Sequence, residues 1–276
     1  MAVARSEPYT LKFGSTLVPF RPEALKLGND LQTEDLELAG HTKTSLVAVM
    51  GRKPFIACQI MDLSVIDDIE FIPGGIDTVV ATFRDIDQNG TYSAGYDSYT
   101  ISKGVVVPVS LQAEAGKVAT MDIRVVALFA SGSAVVKATT ASSTLANGIA
   151  YELKNFSLST GVGAAVSTYT NVRSATLNWD IPLEDDEHSE PEYIYYKKNS
   201  ISGKVVIRGL SQASQDRLED GQTNTACNLV FQDVAGTAAD KTFTLGRVFT
   251  QVETNGADVE ISFKQIQTPY VAPVAP

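Results

Sequence analysis

The sequence predicts a mainly β protein made of two tandem β-sandwich or barrel-like domains, each with one short flanking helix and a long loop. Three observations carry this. Most segments alternate apolar and polar residues with period two, the signature of half-buried strands. Asn-Gly pairs punctuate the strand runs where tight turns belong. Four blocks of sequence recur in the same order, about 140–148 residues apart.

The strand signals are clearest at residues 120–125, 175–181, 203–208 and 258–264, where Val, Ile, Thr and Phe dominate. The turn signals are Asn89-Gly90, Asn147-Gly148 and Asn255-Gly256. Helix signals are few. Residues 211–220 read as a short helix with Ser211 as N-cap and Gly221 just past its end. Residues 64–71 read as its counterpart, capped by Ser64. Residues 131–148 are rich in small polar residues and read as a linker. Residues 269–276 carry three prolines, which cannot continue a sheet interior.

The repeated blocks define the organisation. Tyr9-Thr10-Leu11-Lys12 matches Tyr151-Glu152-Leu153-Lys154, and Ile60 to Ser64 matches Ile207 to Ser211. Residues 78–85 match 225–233, which sets Asp85 against Asp233. Residues 109–123 match 249–263 around Gly116 and Gly256. The change of offset places extra length in the first copy's hairpin, around residues 85–103, and hairpin tips tolerate insertion. The expected layout is a first β domain at 1–130, a linker at 131–148, a second β domain at 149–268 and a Pro-spaced tail at 269–276.

Composition narrows the function classes. The 32 acidic and 22 basic residues give a net charge of −10, which disfavours holding a nucleic-acid backbone. Cys58 and Cys227 lie in apolar strand-like sequence and read as buried free thiols, too few for a disulfide framework. The first residues lack a signal-peptide core, and no run reaches the ~18 apolar residues of a membrane helix. The expectation is a soluble chain made in a cytoplasm, with no membrane span.

No catalytic set emerges, and no cofactor motif. Asp85, Asp87 and Asn89, followed by Gly90, match the first half of a calcium loop. Its twelfth position is Tyr96 instead of a bidentate carboxylate, so a polar hairpin turn is the favoured reading. Glu184, Asp185, Asp186, Glu187, His188 and Glu190 form an acidic run with one histidine, which defines no coordination site. It reads as a solvated loop able to pair with a neighbour's Lys or Arg. Tyr193, Tyr195 and Tyr196 follow as an aromatic flank for packing on that neighbour. With His41 and His188 the only histidines, a Ser-His-Asp triad is disfavoured. The glycine-rich stretch at 159–165 lacks a phosphate loop's lysine.

The order of elements resembles the tail tube proteins of long-tailed phages and related contractile injection systems. The residues carrying the resemblance are the strand at 175–181, the loop at 182–198, the strand at 200–207, the helix at 211–220 and the hairpin at Gly256. The resemblance implies a β-sandwich with one flanking helix and a long loop reaching the next ring. It implies self-association into rings, with a duplicated chain forming a pseudo-sixfold trimer, or else a hexamer. It further implies an acidic lumen with DNA as passing cargo, other tail proteins as partners, and a place in the virion. The expected function is a non-enzymatic structural one. Competing expectations are a tail-tip hub or adaptor, a head-decoration or receptor-binding protein, and a carbohydrate-binding β-sandwich pair.

Overall fold

The computed structural model describes residues 3–36, 46–69, 76–87, 89–127, 133–138, 148–159, 166–181, 183–185, 194–196, 200–210, 223–224 and 227–266. The chain is mainly β. In order, the strands are β1 (Val3–Phe13), β2 (Thr16–Leu17), β3 (Lys26–Leu36), β4 (Leu46–Ile60), β5 (Ile76–Asp87), β6 (Tyr92–Glu114), β7 (Thr120–Ala127) and β8 (Ser133–Ala138). They continue as β9 (Tyr151–Ser159), β10 (Val166–Tyr169), β11 (Val172–Asp180), β12 (Leu183–Asp185), β13 (Ile194–Tyr196) and β14 (Ser200–Arg208). The last are β15 (Thr223–Asn224), β16 (Cys227–Asp233), β17 (Lys241–Thr244), β18 (Val248–Asn255) and β19 (Asp258–Gln265). The strands read from periodicity at 120–125, 175–181, 203–208 and 258–264 fall in β7, β11, β14 and β19.

The chain divides into two compact units. The first holds Met1–Pro108, Asp122–Gly148 and Leu183–Tyr196; the second holds Val109–Met121, Ile149–Pro182 and Lys197–Pro276.

In the first unit β1 pairs antiparallel with β2 and β5, β5 returns through a hairpin into β6, and β8 lies on the other edge of β6. β3 pairs with β4, β4 with β7, and β7 with β6, which joins these strands to the same sheet. Leu11, Phe13, Val79, Ala81 and Ile101 are buried on the first group, and Ile56, Cys58, Ile60, Ile123 and Val125 on the second. Alternate residues of a pleated strand share a face, so these period-two sets form one apolar surface per strand. Between β4 and β5 the chain forms a 3-10 helix at Leu63–Asp68.

Two expectations change here. The cap of that helix is Asp62, not Ser64. Asp62 sits in extended backbone, and its Oδ1 accepts the Ser64 backbone N–H at 2.8 Å and the Ser64 hydroxyl at 2.6 Å. An aspartate two residues earlier fits the N-cap role better, because its carboxylate reaches the free N–H groups of the first turn. The stretch read as a linker also contains β8. Its Val135 and Val136 favour extended backbone, and an edge strand needs backbone pairing more than an amphipathic pattern. The counterpart helix at 211–220 lies outside the described residues.

In the second unit one sheet runs β10-β9-β16-β17. The other group runs β15-β18-β19-β14-β11 and is extended by the last residues of β6, with Ser110 opposite Asn178 and Glu114 opposite Ser174. The turn after β6 is fastened to the same unit: the N–H of Ala115 donates to Arg173 O at 2.8 Å, and that of Ala119 to Tyr151 O at 2.7 Å. The two sheets meet through aromatic side chains. Phe156 of β9 stacks on Phe263 of β19 with centroids 6.1 Å apart, and on Tyr169 at 6.1 Å. β16 shows the pattern at its plainest, with Cys227, Leu229 and Phe231 fully buried and the residues between them half-buried.

Gly203 of β14 serves this contact. It stands opposite Phe263 in the β14–β19 ladder and opposite Leu177 in the β11–β14 ladder. A Cβ here would lie 2.7 Å from the Thr176 carbonyl oxygen and collide with the Phe263 ring. The glycine is what lets that ring lie across the strand.

Candidate functional site

The hairpin between β5 and β6 holds the residues proposed for calcium. Asp87 Oδ1 accepts the backbone N–H of Asn89 at 2.8 Å and of Thr91 at 2.7 Å. The N–H of Gly90 donates to the Asp87 carbonyl at 3.1 Å, with Gly90 at φ +79. Asp87 is thus spent on closing the turn, as short polar side chains do. Asp85 lies within β5, opposite Ser6 of β1, and Asn89 is exposed at the tip. Tyr96, at the loop's twelfth position, is 9% exposed. It packs on Tyr9 with centroids 5.3 Å apart, and the Arg84 guanidinium lies over both rings at 5.3 and 5.5 Å. Among the described residues no group of three or more His, Cys, Asp or Glu is placed to hold a metal ion.

A second hairpin repeats the device. Asp233 Oδ1 accepts the N–H of Ala235 at 2.9 Å. Its Oδ2 accepts the N–H groups of Thr237 (2.7 Å) and Ala238 (2.9 Å) and the Thr237 hydroxyl (2.8 Å). Gly236, at φ +67, donates its N–H to the Asp233 carbonyl at 3.0 Å. These donors, led by the N–H groups of Ala235 and Ala238, hold the carboxyl at about 2. The shared sequence is Asp-x-x-Gly-Thr, at Asp87-x-x-Gly90-Thr91 and Asp233-x-x-Gly236-Thr237. The structural partner of Asp233 is therefore Asp87, not the Asp85 that block matching chose. The five-residue spacing was visible in the sequence and marks the turn directly.

The acidic loop contributes a short hairpin. β12 and β13 pair antiparallel, with Leu183 opposite Tyr196, Glu184 opposite Tyr195 and Asp185 opposite Ile194. Glu184, Asp185, Tyr195 and Tyr196 thus sit on the two legs of one ribbon. Asp186, Glu187, His188, Glu190 and Tyr193 lie outside the described residues. The hairpin belongs to the first unit, whereas the segments flanking it in sequence, Ile149–Pro182 and Lys197–Pro276, belong to the second.

Both thiols are buried and free. Burial, reinforced at Cys58 by the Asp122 carboxylate, pushes each up to about 12, so neither is a nucleophile at neutral pH. A cleft of about 310 Å³ in the second unit is lined by Ser167, Thr168, Tyr169, Thr170, Asn171, Ile207 and Leu210. Its lining holds no carboxylate, histidine or lysine, so it offers hydrogen bonds without an acid–base pair.

No protein-family model matches the chain, and no curated protein matches it in sequence.

Proposed function

We propose that this chain is a structural virion protein that forms rings, which stack into the tube of a phage tail around the passing DNA. One observation carries the reading. Residues 110–114, from the closing hairpin of the first sequence repeat, pair edge to edge with β11 of the second repeat. This ladder, inside the second unit, pairs segments distant in sequence by backbone alone, and the same kind of pairing can join chains, since an open strand edge is an assembly surface. Three chains of two repeats each give a pseudo-sixfold ring. The net charge of −10 suits a passage that must not retain DNA. No helix among the described residues is long and apolar enough to cross a membrane.

The hairpin of β12 and β13 is the proposed contact between stacked rings, with Glu184 and Asp185 on one leg and Tyr195 and Tyr196 on the other. Electron microscopy of the purified chain tests the reading. Rings or tubes with threefold or pseudo-sixfold symmetry are expected. A stable monomer at high concentration, together with no association with virions, would overturn it. Labelling confined to the tail tip would replace the tube by a hub role. Deleting residues 184–190 should leave rings intact and shorten or abolish tubes; tubes of unchanged length would remove the loop from the mechanism.

A further inference from the structure

The Asn-Gly pairs that mark turns carry a second chemistry, independent of the tube reading. The side-chain amide carbon of an asparagine lies within reach of the next residue's backbone nitrogen. A glycine offers that nitrogen with no side chain to obstruct it, which makes asparagine a thermolabile residue in such pairs. The structure treats Asn89-Gly90 and Asn255-Gly256 differently; Asn147 of the third pair lies outside the described residues.

At the first pair the fold holds both backbone nitrogens. The Asn89 N–H donates to Asp87 Oδ1 at 2.8 Å, and the Gly90 N–H to the Asp87 carbonyl at 3.1 Å. At the second pair, Asn255 ends β18 opposite Asp258, and Gly256 and Ala257 form the two-residue loop. Gly256 is at φ +63, as the first central position of a type II′ turn requires. The tip is tied down through its other residue: the Gly209 N–H donates to Ala257 O at 2.8 Å. Among the described residues the Gly256 N–H meets no acceptor, and Asn255 and Gly256 are both exposed. Its nitrogen can therefore turn toward the asparagine side chain without first breaking a hydrogen bond. The Gly90 nitrogen cannot.

We propose that Asn255 is a site of spontaneous deamidation and reacts ahead of Asn89. The Gly256 nitrogen loses its proton to solvent and bonds to Asn255 Cγ, and the side-chain nitrogen leaves as ammonia. Water then opens the cyclic imide. Breaking the new bond leaves aspartate and restores the Gly256 N–H; breaking the original peptide bond leaves isoaspartate, with the chain running through the former side chain. Either product places a carboxylate at position 255. Opposite residues of an antiparallel pair share a face, so this carboxylate stands beside Asp258, with Glu253 opposite Glu260 one step along. Arg173 already pairs with Asp258 at 2.9 Å and Lys204 with Glu260 at 2.5 Å, while Asp258 Oδ1 is buried with no donor. A like charge directly opposite Asp258 weakens the end of the hairpin.

Peptide mapping of the full folded chain during incubation in mildly alkaline buffer, with isoaspartate separated from aspartate, tests this. Asn255 should convert roughly two- to tenfold faster than Asn89, the factor that one backbone hydrogen bond supplies. In denaturant the two rates should converge, because the fold sets the difference. Equal rates in the folded chain, faster reaction at Asn89, or a preference for Asn255 that persists in denaturant overturns the proposal. Asn255→Gln keeps an amide at the hairpin and should abolish conversion in that peptide while leaving Asn89 unchanged; conversion that persists there places the chemistry elsewhere and overturns it too. Asn255→Asp supplies the charge without opening the chain. It should lower the denaturation midpoint, most at low salt; an unchanged midpoint overturns the stated consequence for the hairpin.

Discussion

Asp87 and Asp233 close two hairpins, one in each unit, with the same hydrogen bonds. Each carboxylate accepts the N–H groups two and four residues on, and each backbone carbonyl accepts the N–H of a glycine at positive φ. A side chain with this task stiffens a turn. It has no need of a metal, and at Asp233 its donors favour the ionised form.

The Asp233 turn should therefore make stability depend on pH. Its carboxyl sits at about 2 in the folded chain, below the ~3.9 of a free aspartate. A depressed value contributes stability that is fully present above roughly pH 4 and is lost as pH falls towards 2. Asp233→Asn should lower Tm at neutral pH and flatten the pH dependence in that window. Urea unfolding curves of both proteins between neutral pH and acid would check this; parallel pH profiles would show that the turn does not stabilise through its charge.

Calcium should leave the chain unchanged. Asp87 Oδ1 is already occupied by two backbone donors, and Tyr96 stands where a bidentate carboxylate is required. A site of even ~10⁻⁴ M affinity would add about 1.4 kcal/mol at millimolar calcium. Thermal unfolding with millimolar calcium against chelator should give superimposable curves, and a clear rise in Tm would restore the hairpin as a metal site.

Gly203→Ala should destabilise the second unit. The added methyl meets the Thr176 carbonyl and the ring of Phe263, which carries the stacking on Phe156. Overpacking of this kind costs about 1–3 kcal/mol. Chemical denaturation should show a lower midpoint with a similar slope, and near-ultraviolet circular dichroism should register the shifted aromatic stack.

Cys58 and Cys227 should resist thiol reagents in the folded protein. Both are buried and held up to about 12, so the thiolate is scarce even at pH 8. Mass spectrometry after brief treatment should find neither modified, and both modified in denaturant. Rapid native labelling at either would show that its strand opens locally.

Chain chemistry alone determined the β character, the strands β7, β11, β14 and β19, and the buried thiols. Alternation with period two reports which face is apolar wherever a strand is half-buried, as in β16 and β19. It determined the hairpins too, because Asn-Gly and Asp-x-x-Gly-Thr act within five residues. What only the tertiary structure decided is longer in range. No local signal assigns residues 110–114 to β11, since that ladder joins segments sixty or more residues apart through backbone groups every residue carries. Nor could composition show that β8 lies within an apparent linker, since an edge strand needs a partner more than a pattern. The repeated blocks set Asp85 against Asp233; the hydrogen bonds pair Asp87 instead, because the turn's geometry specifies which aspartate the N–H groups can reach.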